Sequence, residues 1–549
     1  MQEESFPLKE DVLGSFIEEN AKVWNLDTKQ NSCKDINKNK YVYINLSMVR
    51  MQMAWVVPKL IAAKGIEEQD GSIPVVLTWN ENKSVSRLLD SFKIKHIALN
   101  NICYRNPIIV FRAFVKAIML LRKKADIGNL LSEKIGAYNI GTDIYEDILR
   151  TSSLSTAKSC KNTVVLKKYI HIMCTIYALQ NIVEKMPPSY ALMDDHAYHE
   201  GAFIKLFRMN GARVYGYSNF SYHEILFDEN NNVYRRPYMN HIKVKSKIQD
   251  SMPDILEKAD RFLEERFAGK NGRSIDRQAF AGKVCLDRDE TIARLGLDHD
   301  KKNVVIMAHT FTDAIYNYGY YYFRDYYDWL EQTLEIAKNV STVNWILKPH
   351  PTRHAYNEDT DSIEDMFARH KNENMYYMDD DISAETLKNV ADVIITIGGN
   401  AGAEFACVGV PSVIVGKPYY RDFGYTIEPK SYDEYRECLE HIDRVERLDE
   451  NQIAVAKKVF YTFNNMPREE FLDGAEYEFA TELNEKYREM MNELSVQYFA
   501  NNDGTESYNS SILAWITQYI KEHDVRRISY YVEGRNIVTK VAGIKNSDE

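Results

Sequence analysis

No two of the seven cysteines (Cys33, Cys103, Cys160, Cys174, Cys285, Cys407 and Cys438) stand in a C-x-x-C pair. An odd, scattered set supplies neither a disulfide framework nor a zinc site and suits a reducing compartment. Positive charge is not in excess either. Sixty-nine basic residues against 80 acidic ones leave a formal charge of −11, which excludes a broad electrostatic attraction to nucleic acid but not a local basic pocket. The first 19 residues are acidic and lack the basic-then-apolar order of a signal peptide. Long apolar runs are missing as well. The most apolar stretch, 108–121, is interrupted by Arg112 and Lys116 and is too short to span a bilayer. It ends in Arg122-Lys123-Lys124, so it either packs within the N-terminal domain, the plainer expectation, or lies on an anionic membrane surface. Repeats and low-complexity tracts are absent. Together these absences point to a cytoplasmic protein, with membrane contact at most peripheral.

What is present is ordinary globular composition, 45% apolar and 27% charged, over 549 residues. That length exceeds one compact core and predicts two main domains plus extensions. Residues 1–40 form a polar lead-in. From 41 a βα alternation begins, with strands expected at 41–46, 73–78, 96–99, 190–193 and 213–217, helices at 51–63, 85–92 and 196–209, and a hairpin around 227–237. A second alternation follows polar 269–277, with strands at 303–308, 344–347, 375–378, 393–397 and 412–415. Runs such as VVIMA and DVIITI are continuously apolar, as strands covered on both faces must be. The expected fold is therefore α/β, with Rossmann-like doubly wound domains at 41–270 and 285–465 and a helical extension at 466–549.

In such sheets ligands sit beyond the carboxyl ends of the strands, so the loops there carry the candidates. Lys348-Pro349-His350-Pro351 follows the strand NWIL and aims a cation and an imidazole from a rigid turn. Lysine offers three donors to a phosphate and histidine can donate to the same oxygens. Thr396-Ile397-Gly398-Gly399-Asn400 opens a helix, and amides at such a start suit an anion. The pattern is neither Gly-x-Gly-x-x-Gly nor the Walker sequence. Glu404, one turn on, either accepts from a sugar hydroxyl or is a first-turn acid. The loop Gly416–Gly424 region carries Tyr420, a donor-side lid residue or simply part of a tyrosine-rich surface. His309 and Asp313 follow the first strand of the second domain. In the first domain, Asp195 and His196 open a helix after the strand YAL, where an acid or imidazole could take a proton from a hydroxyl. Tyr198 follows them. The tyrosines of 316–327 are expected mainly to pack, and Asp379-Asp380-Asp381 reads better as helix-capping acids than as a metal-binding Asp-x-Asp.

The strand-K-P-H-P element followed by ADVIITIGGNAGAEFACVGVPSVIVGKPYYRDFGYT resembles the C-terminal domain of bacterial capsule and lipopolysaccharide biosynthesis transferases, a group that includes the Kdo transferases and has the GT-B fold. AHTFTDAIYNYG and GTDIYEDILR are similar to related surface-carbohydrate proteins, which singles out Tyr145 and Arg150 as acceptor-side positions beside Tyr198. The resemblance covers 300–430 well and the N-terminal half in patches. It implies that Lys348 and His350 bind donor phosphate and that Gly398, Gly399 and Asn400 lie beside the donor. His309 and Asp313 stand where the Kdo enzymes carry a Gln-containing element.

The expectation is a metal-independent glycosyltransferase without a cofactor. It would move a sugar from a CMP- or UDP-linked donor to a polysaccharide or lipid-linked glycan across an interdomain cleft, with Asp195 or His196 as base. Peripheral contact with the inner membrane face or a polysaccharide assembly complex is compatible with this. A nonhydrolysing nucleotide-sugar epimerase, a phosphotransferase using CDP-glycerol, and a catalytically inactive subunit of an assembly complex are the competing readings.

Overall fold

The computed structural model describes residues 9–24, 40–46, 53–80, 82–123, 125–193, 197–218, 221–227, 233–234, 247–248, 254–270, 279–280, 282–316, 322–351, 353, 360–465, 510, 513–514, 517–518, 527–533 and 536–542. The chain divides into two compact units. The first comprises Met1–Tyr145, Ser159–Tyr234 and Gly474–Glu549, and the second Glu146–Lys158 and Arg235–Asp473.

In the first unit the apolar runs YVYIN and IPVVLT become β1 (Tyr41–Asn45) and β2 (Ile73–Thr78), buried almost throughout. With β3 (Lys95–Ala98), β4 (Pro188–Met193) and β5 (Arg213–Ser218) they form a parallel sheet core. Its order, β3-β2-β1-β4-β5, reverses between β1 and β4, as a doubly wound sheet does. Three antiparallel strands extend it beyond β5: β6 (Ser221–Glu224), then β14 (Asn536–Ala542), then β13 (Arg527–Glu533). Within the helical extension expected at 466–549, 527–533 and 536–542 are instead an antiparallel strand pair seated on the edge of the first sheet, whereas 466–509 lie outside the described residues. The hairpin expected around 227–237 is present as two short strands, Leu226–Phe227 and Val233–Tyr234, and its turn lies outside the described residues.

The second unit holds six parallel strands, β7 (Lys302–Met307), β8 (Val343–Lys348), β9 (Met375–Tyr377), β10 (Val393–Thr396), β11 (Ser412–Ile414) and β12 (Thr426–Ile427). Their order, β9-β8-β7-β10-β11-β12, is that of a Rossmann sheet, with its switch point between β7 and β10. Two Rossmann-ordered sheets in one chain are the GT-B-like plan that the sequence predicts.

The boundary between units falls earlier than residue 270. Helix Ile255–Phe267 joins the second unit, since Leu263 and Phe267 enter the same apolar core as Val305, Ile346, Ile394, Phe405 and Ile414. Among the described residues no helix is long and apolar enough to cross a membrane.

Candidate active site

The crevice at the switch point of the second sheet lies between the ends of β7 and β10, and His309 and Thr396 meet there. Thr396 ends β10, fully buried, and its Oγ1 lies 3.1 Å from Nε2 of His309, two residues beyond β7. The same oxygen accepts from the amide of Gly399 at 3.1 Å. One hydroxyl thus ties the imidazole to the glycine turn. A Cβ at 399 would stand 3.2 Å from Thr396 Oγ1 and 3.6 Å from the His309 ring, a tight but not prohibitive fit, so glycine keeps the space beside these two groups open. The ring of Tyr326 lies on the imidazole at 4.7 Å between centroids, with Trp329 edge-on at 6.0 Å. Burial among these groups, and then the charge of His350, depress the His309 pKa to about 3. The imidazole is therefore neutral near pH 7, a hydrogen-bonding group and not a cation.

The glycine turn is held from below by Tyr420. Its fully buried phenol donates to Gly399 O at 2.6 Å, and its ring lies so close to Gly402 that an added Cβ would meet the phenol oxygen at 2.4 Å. Tyr420 is thus a prop beneath the turn and not a lid over a donor. The helix that follows, Ala401–Ala406, is six residues long, so its individual first amides matter more than a long dipole. Asn400 precedes it without a side-chain cap, and its carbonyl accepts from Ala403 and Glu404. Among the described residues, the amides of Gly398, Asn400 and Ala401 have no protein acceptor.

Glu404 is held by an arginine of the second unit. Its buried Oε1 accepts from Arg266 Nε at 2.9 Å and from Nη2 at 2.7 Å, which locks helix Ile255–Phe267 to the helix after the turn.

Lys348 is also turned away from the crevice. It ends β8, 4% exposed, and its Nζ donates to the carbonyls of Asp379 and Ile382, each at 2.9 Å. Burial, then the neighbouring Lys283, push its pKa down to about 8. The lysine that the sequence assigns to phosphate thus ties down the turn after β9. Arg353, which sequence reasoning passed over, completes that support. It donates to both carboxylate oxygens of Asp380 at 2.9 and 2.7 Å, to Glu364 at 2.8 Å, and to the His350 carbonyl at 3.3 Å. Burial opposes ionisation of Asp380, but the bonds from Arg353 hold its carboxyl below the usual range. Asp381 pairs with Arg294, and the turn of helix beyond is capped by Ser383. Asp380 therefore braces the K-P-H-P loop through Arg353 and Asp379 does so through its carbonyl, whereas Asp381 ties to Arg294. An arginine three residues past the histidine, facing an Asp-rich turn, was the available signal.

His350 is half-buried and near enough to His309 to oppose its protonation. The structure thus brings His309, His350, Thr396 and Gly399 to one place and leaves Lys348 and Glu404 as supports. Asp313 sits in the loop after β7, its amide donating to Thr310 O at 3.3 Å. The following residue, Ala314, has φ 42°, and its carbonyl accepts from the Tyr326 phenol. Tyr316 and Tyr326 are buried and hydrogen-bonded to backbone, as packing tyrosines should be.

Asp195 and His196 lie outside the described residues. Tyr198, the first residue of helix Tyr198–Met209, is half-buried at φ 57°, a left-handed conformation that costs a bulky residue about 1–2 kcal/mol. Tyr145 is fully buried in helix Gly141–Ser152, whereas Arg150 near its end is half-buried. Also missed were Asn45 and Glu200 at the switch point of the first sheet, between β1 and β4. Buried Asn45 donates its amide to the buried carboxylate of Glu200, and Lys59 Nζ donates to Asn45 O at 2.7 Å. Among the described residues, no three His, Cys, Asp or Glu side chains gather as a metal site requires.

Residues 268–463, about a third of the chain, match the family described as capsule polysaccharide biosynthesis protein. That stretch covers the whole second sheet and every residue of its crevice. No curated protein matches. Among solved structures, a beta Kdo 2,7 transferase, KpsC of Thermosulfurimonas dismutans, is 16% identical over 51% of this chain and 80% of its own, with a TM-score of 0.30. The UDP-GlcNAc 2-epimerase of Neisseria meningitidis is 12% identical over 76% and 98%, at 0.19. Anabaena HepE, solved with UDP, is 11% identical over 77% and 94%, at 0.24.

Proposed function

We propose that the chain is a glycosyltransferase of surface-polysaccharide synthesis whose second unit holds a pyrimidine nucleotide-sugar, CMP- or UDP-linked, at the β7/β10 switch point. The observation that carries this is the arrangement of His309, Thr396 and Gly399 beside the amides of Asn400 and Ala401, inside the segment that matches the capsule family. Backbone amides at a strand-to-helix turn suit phosphate oxygens. A neutral imidazole can donate to the phosphate without repelling Lys or Arg nearby. In the reaction the acceptor hydroxyl attacks the anomeric carbon, the bond from that carbon to the phosphate oxygen breaks, and the nucleotide leaves with the electron pair. The turn amides and His309 stabilise that charge as it develops. Asp195 or His196 takes the hydroxyl proton. No metal or cofactor enters this scheme. The acceptor is a growing glycan or a lipid-linked one.

Nucleotide release from CMP- and UDP-sugars, followed with and without a capsule-type oligosaccharide, tests the reading. Acceptor-dependent release with one base is expected, and His309→Ala should slow it by about 10²-fold or more. Sugar altered without any acceptor would instead make the protein an epimerase.

A further inference from the structure

From Ser91 to Ala125 the chain has eight basic residues (Lys93, Lys95, Arg105, Arg112, Lys116, Arg122, Lys123 and Lys124) and no acid, inside a protein of net charge −11. Helix Pro107–Arg122 lies within this stretch. It is started firmly, with Asn106 accepting from the Ile108 amide at 3.0 Å and Pro107 in the first turn. One face, Ile109, Ala113, Ala117 and Leu120, is buried, and the helix packs on helix Thr163–Lys185. The opposite face should then be polar, and it is not. Phe111, Phe114, Ile118 and Leu121 recur along it at helical spacing, flanked by Ile108 and Met119, and all six are exposed, Ile108 and Phe111 to more than two thirds (69% and 68%). Arg105 and Arg122 are exposed at its two ends, with Lys123 just beyond. Arg112 stacks on the Tyr177 ring at 4.1 Å, and Lys116 pairs with Glu133, so these two line the margin with their stems.

We propose that this helix is a membrane-surface anchor, lying in the headgroup layer of an anionic bilayer with Phe111, Phe114, Ile118 and Leu121 inserted. Burial of the apolar stripe supplies binding, and the flanking cations select an anionic leaflet. The local sign of charge decides between occupants. Two copies joined through this face would oppose cation to cation, whereas an anionic lipid surface neutralises them. The proposal is independent of the transfer reaction, although it would hold the enzyme beside a lipid-linked acceptor.

Flotation of the full chain with phosphatidylglycerol/phosphatidylcholine vesicles and with phosphatidylcholine alone tests it, with light scattering for oligomeric state. Binding to the anionic vesicles only is expected. The double change Phe111→Ser with Phe114→Ser should weaken it about ten-fold or more, and Arg105→Gln with Arg122→Gln should weaken it and reduce its salt sensitivity. Both variants should keep the wild-type melting temperature and nucleotide affinity, because the altered side chains are exposed and nucleotide binding belongs to another site. No flotation on anionic vesicles, equal flotation on neutral ones, or a dimer that the serine variant turns into monomer with vesicle binding unchanged would each overturn the proposal.

Discussion

His309 is ionised with difficulty, and that has a measurable sign. Its pKa falls to about 3 in the folded chain, against about 6.5 when unfolded. Between those values the unfolded chain holds the extra proton, so stability rises with pH across that window and is fully present above it. Wild type should therefore lose about 1–2 kcal/mol relative to His309→Gln between pH 7 and pH 5. Urea denaturation at the two pH values reads the difference, and parallel losses would mean that the ring is not held neutral. At the neighbouring turn, Gly402→Ala drives a methyl into the Tyr420 phenol and should cost about 1–3 kcal/mol, read the same way. Much of this scale was legible in the sequence. The strand-end rule selected His309, His350, Thr396 and Gly399 from the order of βα units alone. It also selected Lys348 and Glu404, which the structure uses otherwise. A strand end fixes where a residue starts, whereas its partners come from elements far along the chain: Asp379 and Ile382 for Lys348, and Arg266 for Glu404.

Elements in the second unit are joined by buried polar locks. Removing one partner of the buried Arg266–Glu404 pair takes the close counter-ion from the other, so Arg266→Met should cost about 3–5 kcal/mol. Adding Glu404→Met should restore much of the loss, and a double-mutant cycle by urea denaturation checks it. Additive losses would show that the pair is not coupled. Lys348→Met should leave two carbonyls of the turn after β9 without their donor, lowering stability by about 1–3 kcal/mol in the absence of any ligand. The parallel strands were readable because strands covered on both faces are apolar throughout. The hairpin β13–β14 was not read, although RISYYVE and NIVTKVA alternate around Gly534 with the period of two that a half-exposed strand requires.

For the whole molecule, two Rossmann-ordered sheets give two switch points, and they are built differently. The first carries buried Asn45, Lys59 and Glu200 joined by hydrogen bonds, and the second presents a neutral imidazole, a hydroxyl and open amides. The proposed nucleotide site is the second. Calorimetric titration of CMP, CDP and UDP into wild type and Gly399→Ala tests this most directly, since the added methyl would stand beside Thr396 and His309. The account predicts that one pyrimidine nucleotide binds wild type and binds Gly399→Ala at least ten-fold more weakly, about 1.4 kcal/mol, with the melting temperature nearly unchanged. Equal affinity in the two proteins, or no binding of any pyrimidine nucleotide, would contradict it.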